Sequence, residues 1–318
     1  MTAIRKRQLE ASGEGILGIH SVNHFVLAVP DLKEAERFHQ AFGLDVLNHR
    51  SGYAVRTEGI DHDWGFFVQG SRKQLQHLSF GVFDEDFQRF KLHLEARGME
   101  LLSPPKGFES NGLWFRDHDG NLIELVVSAK TSPDFKAQSG HASTPAGVVA
   151  APLRSKAAKV RPTRLAHILI FTRDVQKAID FYTGVLGMGL SDRSGDNIAF
   201  LHGRHGSDHH MLAFVKSSAP GLHHTSWDVP LIDNVGQGAM QMADKGFSRG
   251  WGLGRHVLGS NFFHYIRDPW GSYAEYSCDI DYIPAEIDWE SKDHDPQDSF
   301  YIWGPTPPDD FARNYEAE

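Results

Sequence analysis

Only one cysteine, Cys278, occurs in the 318 residues. That excludes an intrachain disulfide and fits a reducing compartment, so a cytoplasmic location is expected. No apolar run approaches the ~20 residues of a membrane span. The opening MTAIRKRQLEASGEG has basic residues but no apolar stretch, so no signal peptide is expected. Excess positive charge is missing as well: the net charge is −9 and no basic run extends beyond IRKR, which argues against a nucleic-acid partner. Hydrophobic content of 40% and charged content of 23% are ordinary for a globular protein, and the length favours two domains. Histidine is what the chain has in plenty, 19 of them. It is the commonest metal ligand, although a count alone proves nothing.

The chain repeats itself. SVNHFVLAVPDLKEAERFHQAFGLDVL reads strand, turn, amphipathic helix, strand, with Asp31 as helix cap and Leu32, Ala35, Phe38 and Phe42 at helical spacing. A second unit follows: a strand over 76–82, a helix over 85–97, then strands near 113–116 and 122–127. RLAHILIFTRDVQKAIDFYTGVLGMGL in the second half matches the opening unit, pairing His24 with His167, Asp31 with Asp174 and Phe38 with Phe181. DHDWGFFV matches DHHMLAFV, His77 matches His224, and RDHDGNLIE matches RDPWGSYAE, which pairs Glu124 with Glu275. A repeat this long is a strong fold signal. The expected fold is α+β: four βαβββ modules in two domains, each with a curved sheet and helices outside. The expected boundaries are an arm over 1–19, a first domain over 20–129, a linker rich in Ala, Ser and Pro over 130–162, a second domain over 163–280 and a tail over 281–318.

In each half one His falls on the first strand of the first module, a second on the first strand of the second module, and a Glu on its last strand. Two imidazoles and one carboxylate on one face form a facial triad suited to Fe(II). The set is His167, His224 and Glu275 in the second half. His24, His77 and Glu124 in the first half are a candidate second, vestigial metal site. Taken singly, each His reads more simply as a core residue.

The stretch Gly254–Glu275, GRHVLGSNFFHYIRDPWGSYAE, carries the densest chemistry. Asp268, Pro269 and Gly271 are turn formers between two half-buried strands. The reading is a hairpin with His256 in an entering turn, Tyr265 on the first strand and Glu275 on the second.

These residues resemble the type I extradiol ring-cleavage dioxygenases of the vicinal-oxygen-chelate superfamily, whose domains are of the glyoxalase/bleomycin-resistance type. The closing signature of that family is matched by Gly254, His256, Tyr265, Asp268, Pro269, Gly271 and Glu275. The resemblance implies metal ligands His167, His224 rather than its neighbour His223, and Glu275. It implies His210, in HMLAF, as the acid–base group, with His209 one residue out of phase, and His256 and Tyr265 as groups that bond the reacting oxygens. The implied reaction is Fe(II)-dependent extradiol cleavage of a catechol by dioxygen in aromatic-compound catabolism, with Mn(II) as the alternative metal. The implied assembly is a homo-oligomer, a dimer or tetramer. One departure is His264, where an aliphatic residue or Phe is usual. On a strand it points away from the Tyr265 face, so metal binding is not expected to change.

The first half keeps the three ligand types but has Asp63, Pro105 and Trp114 opposite His210, His256 and Tyr265. It is expected to be a non-catalytic scaffold. The tail is expected either to fold over the mouth of the site or to pack elsewhere on its own domain. Two alternatives stand beside this reading: another His-His-Glu oxygenase acting on a 2-oxo acid, and a metal-free binding or resistance protein of the same fold. The set His210, His256 and Tyr265 argues against the first, and three convergent ligands argue against the second.

Overall fold

The computed structural model describes residues 15–137 and 144–318. Most of the expected arm, and 138–143 of the expected linker, lie outside the described residues. The first half runs β1 (Ser21–Val29), α1 (Leu32–Phe42), β2 (Asp45–His49), β3 (Gly52–Arg56), β4 (Gly65–Gln69), β5 (Gln74–Val82), α2 (Asp84–Ala96), β6 (Leu113–Arg116) and β7 (Leu122–Val127). The second runs β8 (Arg164–Thr172), α3 (Val175–Gly184), β9 (Gly189–Ser194), β10 (Ile198–His202), β11 (Ser207–Asp208), β12 (Leu212–Lys216), β13 (Gly221–Asp228), α4 (Ile232–Asp244), β14 (Gly250–His256), β15 (Phe262–Arg267) and β16 (Tyr273–Cys278). Three short strands follow: β17 (Tyr282–Ile283), β18 (Lys292–Asp293) and β19 (Tyr301–Trp303).

Asp31 caps α1, accepting from the Lys33 and Glu34 amides, and Gly43 closes it in the left-handed conformation at φ 98°. Asp174 repeats the cap on α3. The first half forms one sheet in the order β2-β3-β4-β1-β5-β7-β6. The second half forms another, β18-β9-β10-β12-β8-β13-β16-β15-β14-β19. In both, the first strands of the two modules lie side by side and antiparallel at the sheet centre.

The two strands expected after α2 are both present, as β6 and β7. Ahead of them stands only an isolated bridge, Leu102 to Trp114. Pro104 and Pro105 lie in that segment, and proline cannot donate to a ladder. One correction concerns His256, which ends β14 rather than sitting in a turn.

A continuous apolar core runs through both halves. Phe42 of α1 stacks on Tyr276 of β16 at 3.9 Å, and the Tyr276 hydroxyl donates to the Phe42 carbonyl at 2.7 Å. A smaller aromatic cluster of Trp251, Phe263, Tyr265, Tyr273 and Phe311 ties the tail to β14, β15 and β16. Among the described residues no helix is long and apolar enough to cross a membrane.

Candidate active site

Three neighbouring strands build the candidate metal centre. Across the antiparallel β8–β13 ladder His167 faces Ser226, and across the parallel β13–β16 ladder Ser226 faces Glu275. His224 lies two residues before Ser226, so strand alternation puts it on the same face. The small Ser226 side chain leaves room between the larger ones. His167 Nε2 lies 3.2 Å from His224 Nε2 and 3.2 Å from Glu275 Oε2, and His224 Nε2 lies 3.6 Å from Glu275 Oε2.

Three atoms with lone pairs, all buried, thus converge on one point. Asn261 donates to Glu275 Oε1 at 3.2 Å, but Oε2 has no hydrogen-bond partner among the described residues. A buried carboxylate oxygen without a donor is costly unless a cation completes it. The donor set of two imidazoles and one carboxylate therefore fits a divalent metal.

His223, beside the candidate ligand His224, is placed to orient it. Its Nε2–H donates to the Phe311 carbonyl at 2.9 Å, which leaves Nδ1 to accept from His224 Nδ1–H at 2.7 Å. The lone pair of His224 is thereby fixed on Nε2, the atom that points at Glu275.

The three expected catalytic residues line the same cavity, of about 230 Å³. His210 packs its ring 4.2 Å from that of His167. Burial, then the neighbouring His167, His209, His224 and His256, hold its pKa well below the ordinary imidazole value. Tyr265 stands directly across the β15–β16 ladder from Glu275. Burial and that carboxylate push its pKa well up, so the phenol stays protonated. His256 donates from Nδ1 to the Phe300 carbonyl at 3.0 Å and faces the Tyr265 hydroxyl with Nε2 at 2.9 Å. Burial, partly offset by Glu275, lowers its pKa.

The cavity wall is largely apolar. Phe200 contributes to it, whereas His202, Trp251 and His264 do not. From the tail, Pro296, Ser299, Phe300, Phe311 and Ala312 close one side. The tail thus takes the covering position, held down in part by Trp251, whose indole donates to the Pro305 carbonyl at 2.7 Å.

In the first half the structure also brings the aligned residues together. His24 Nε2 lies 3.3 Å from His77 Nε2 and 3.9 Å from Glu124 Oε2. Here, however, Ser79 donates to Oε2 and Ser110 to Oε1, each at 2.5 Å. Sequence reasoning missed Ser226, Asn261, His223's orienting role and the tail carbonyls. The constant spacing of the repeat would have paired Ser226 with Ser79 and Asn261 with Ser110, had small polar residues been traced as the histidines were.

Comparison with known proteins follows the same division. The family described as Glyoxalase/Bleomycin resistance protein/Dioxygenase superfamily matches residues 21–125 and 164–276. Metapyrocatechase 2 of Cupriavidus necator is 50% identical over 300 residues, which cover 94% of this chain and 93% of that one. The manganese-dependent 2,3-dihydroxybiphenyl 1,2-dioxygenase of Geobacillus genomosp. 3 is 23% identical, over 90% and 94% of the two chains. Among solved structures, homoprotocatechuate 2,3-dioxygenase from Arthrobacter globiformis superposes with a TM-score of 0.75 at 19% identity, covering 94% of this chain and 92% of that one. With both halves matched, this chain belongs to the glyoxalase/bleomycin resistance protein/dioxygenase superfamily.

Proposed function

We propose that this protein is an extradiol dioxygenase that opens a catecholic ring beside its diol, using one Fe(II) ion held by His167, His224 and Glu275, in the breakdown of aromatic compounds. The observation that carries the reading is the convergence on one cavity of the three ligand atoms, an unpartnered Glu275 Oε2 among them, with His210, His256 and Tyr265. The near-full-length relative named metapyrocatechase 2 supports it. When bound, the metal would hold the diol and dioxygen side by side and pass electron density between them.

The protein's own groups supply orientation and proton handling. His210, neutral in its buried place, takes a proton from a catechol hydroxyl and returns it to the departing oxygen later. The Phe300 carbonyl holds the proton of His256 on Nδ1, so Nε2 accepts the single phenolic hydrogen of Tyr265. Tyr265 turns that hydrogen from His256 to the oxygen that gains charge during the reaction. The apolar wall and the tail exclude water, which strengthens each of these interactions.

The cavity favours a single, uncharged ring. Its volume of about 230 Å³ lies below the ~300–1,000 Å³ of sites for drug-sized ligands. Among the described residues, no lysine or arginine lines it.

The test is anaerobic reconstitution with Fe(II), addition of catechol or a methylcatechol, then air. A yellow ring-fission product is expected. Absence of colour with every mono- or bicyclic catechol would overturn the reading.

A further inference from the structure

His209 is adjacent in sequence to the acid–base histidine, and the residues Asp281, Asp192 and Trp289 hold it rigidly. It lies between β11 and β12, outside regular strand, so the alternation that separates neighbours on a ladder does not apply. Its Nδ1 meets His210 Nδ1 at 3.1 Å. Its Nε2 meets Asp192 Oδ2 at 2.8 Å. Its amide donates to the Asp281 carbonyl at 2.6 Å, and the Trp289 ring packs against its own at 5.8 Å. All three side chains, Asp192, His209 and His210, are buried.

The other carboxylate oxygen of Asp192 is taken by the tail. Oδ1 accepts from the Lys292 amide at 3.0 Å and faces His294 Nε2 at 2.8 Å. The His294 side chain is 31% exposed, so the chain of groups runs from the surface to the cavity.

The direction of these bonds follows from their donors. An aspartate only accepts, so His209 carries its proton on Nε2. In the neutral ring Nδ1 is then an acceptor, and the 3.1 Å contact requires a proton on His210 Nδ1. The lone pair of His210 is left on Nε2, the ring nitrogen not spent on His209. We infer that Asp192 and His209 are positioning residues: they fix the orientation and tautomer of His210 so that Nε2 is free to accept the proton of a catechol hydroxyl. The inference rests on the dioxygenase reading for the identity of that proton donor, but not for the tautomer itself.

Asp192→Asn is a nearly isosteric test. The Lys292 amide can only donate, so the new amide oxygen must stay on it and the NH₂ must face His209. His209 then accepts at Nε2 and donates from Nδ1, and His210 is driven to the Nε2–H tautomer. Nitrogen-15 NMR of histidine-labelled, metal-free protein reads this directly, with a proton on His210 Nδ1 in the wild type and on Nε2 in Asp192→Asn. In the Fe(II)-loaded enzyme kcat is expected to fall about 100-fold, within the range of a lost acid–base group. KM for catechol and bound iron stay unchanged, and Asp192→Glu recovers part of the loss. A wild-type His210 protonated on Nε2, or an Asp192→Asn enzyme with unchanged tautomer and kcat, overturns the inference. Should the wild type open no catechol at all, the dioxygenase reading fails while the NMR result still decides this one.

Discussion

Ser79 and Ser226 occupy the same rung in the two halves, between the first-strand histidine and the glutamate, but only Ser79 bonds its carboxylate. Ser226 Oγ and Glu275 Oε2 are both without hydrogen-bond partners among the described residues. Two folds of one pattern have therefore diverged in how they treat a buried negative charge. In the first half serine hydroxyls satisfy both oxygens of Glu124. In the second half one oxygen has no donor among the described residues.

The metal content should follow that difference. Elemental analysis after Fe(II) loading and desalting is expected to give one ion per chain. His167→Ala and Glu275→Gln should lose it, and His24→Ala should keep it. Two ions per chain, with one lost in His24→Ala, would show that the first-half triad binds as well.

Charge on the substrate should matter strongly. A ring bearing a carboxylate side chain would enter a cavity that, among the described residues, no lysine or arginine lines. Taking an unpaired carboxylate out of water costs several kcal/mol. The kcat/KM for 3,4-dihydroxyphenylacetate is therefore expected to be about 100-fold below that for 4-methylcatechol, by the rule of about 1.4 kcal/mol per tenfold. Equal values would mean that the carboxylate finds a partner or remains in water.

Much of this was legible in the chain because the repeat carried it. His167, His224 and Glu275 stand out once His24, His77 and Glu124 are aligned with them, and strand alternation allows only one of His223 and His224 on that face. The hairpin of β15 and β16 was marked by Asp268 and Gly271; the Asp268 carboxylate indeed accepts from the Trp270 and Ser272 amides. Less legible was anything decided between distant segments. Asp192 has no sequence feature that ties it to His209, because their contact arises from sheet packing. The two strands after α2 were readable over 113–116 and 122–127, where β6 and β7 lie. The tail was the least readable part, since its carbonyls at Phe300 and Phe311 act through backbone atoms that every residue has.

A buried ion pair joins the tail to the first half. Glu316 Oε1 lies 3.2 Å from Lys73 Nζ and accepts from the Leu222 amide at 2.8 Å, while Oε2 accepts from the Leu75 amide at 2.8 Å. The two side chains are 6% and 4% exposed. Removing one partner of such a pair strands the other, at a typical cost of about 3 kcal/mol. Glu316→Ala is expected to lower the denaturant midpoint accordingly and to make the tail more sensitive to protease. Lys73→Met in the same background should recover part of the loss, because the stranded charge is then gone. No change in midpoint for Glu316→Ala would rule out this clasp.

Acid should unfold the protein through buried histidines that do not line the candidate cavity. His39 is buried on α1 between the Ala35 carbonyl at 2.7 Å and the Tyr53 hydroxyl at 3.1 Å, and burial lowers its pKa to about 4. Burial, chiefly, brings His20, His202 and His264 to about 4 as well. In the unfolded chain these rings titrate near 6.5. Between pH 6.5 and about 4 the unfolded state therefore binds more protons than the folded state, and stability falls as pH falls through that window. Above pH 6.5 these four rings contribute no slope. Thermal unfolding followed by circular dichroism is expected to give a Tm that is level in these groups above pH 7 and drops steadily below 6.5. His39→Gln, which keeps a donor toward the Ala35 carbonyl and cannot titrate, should make that drop shallower. A Tm independent of pH from 6.5 to 4.5 would mean that the buried rings are already charged in the folded protein.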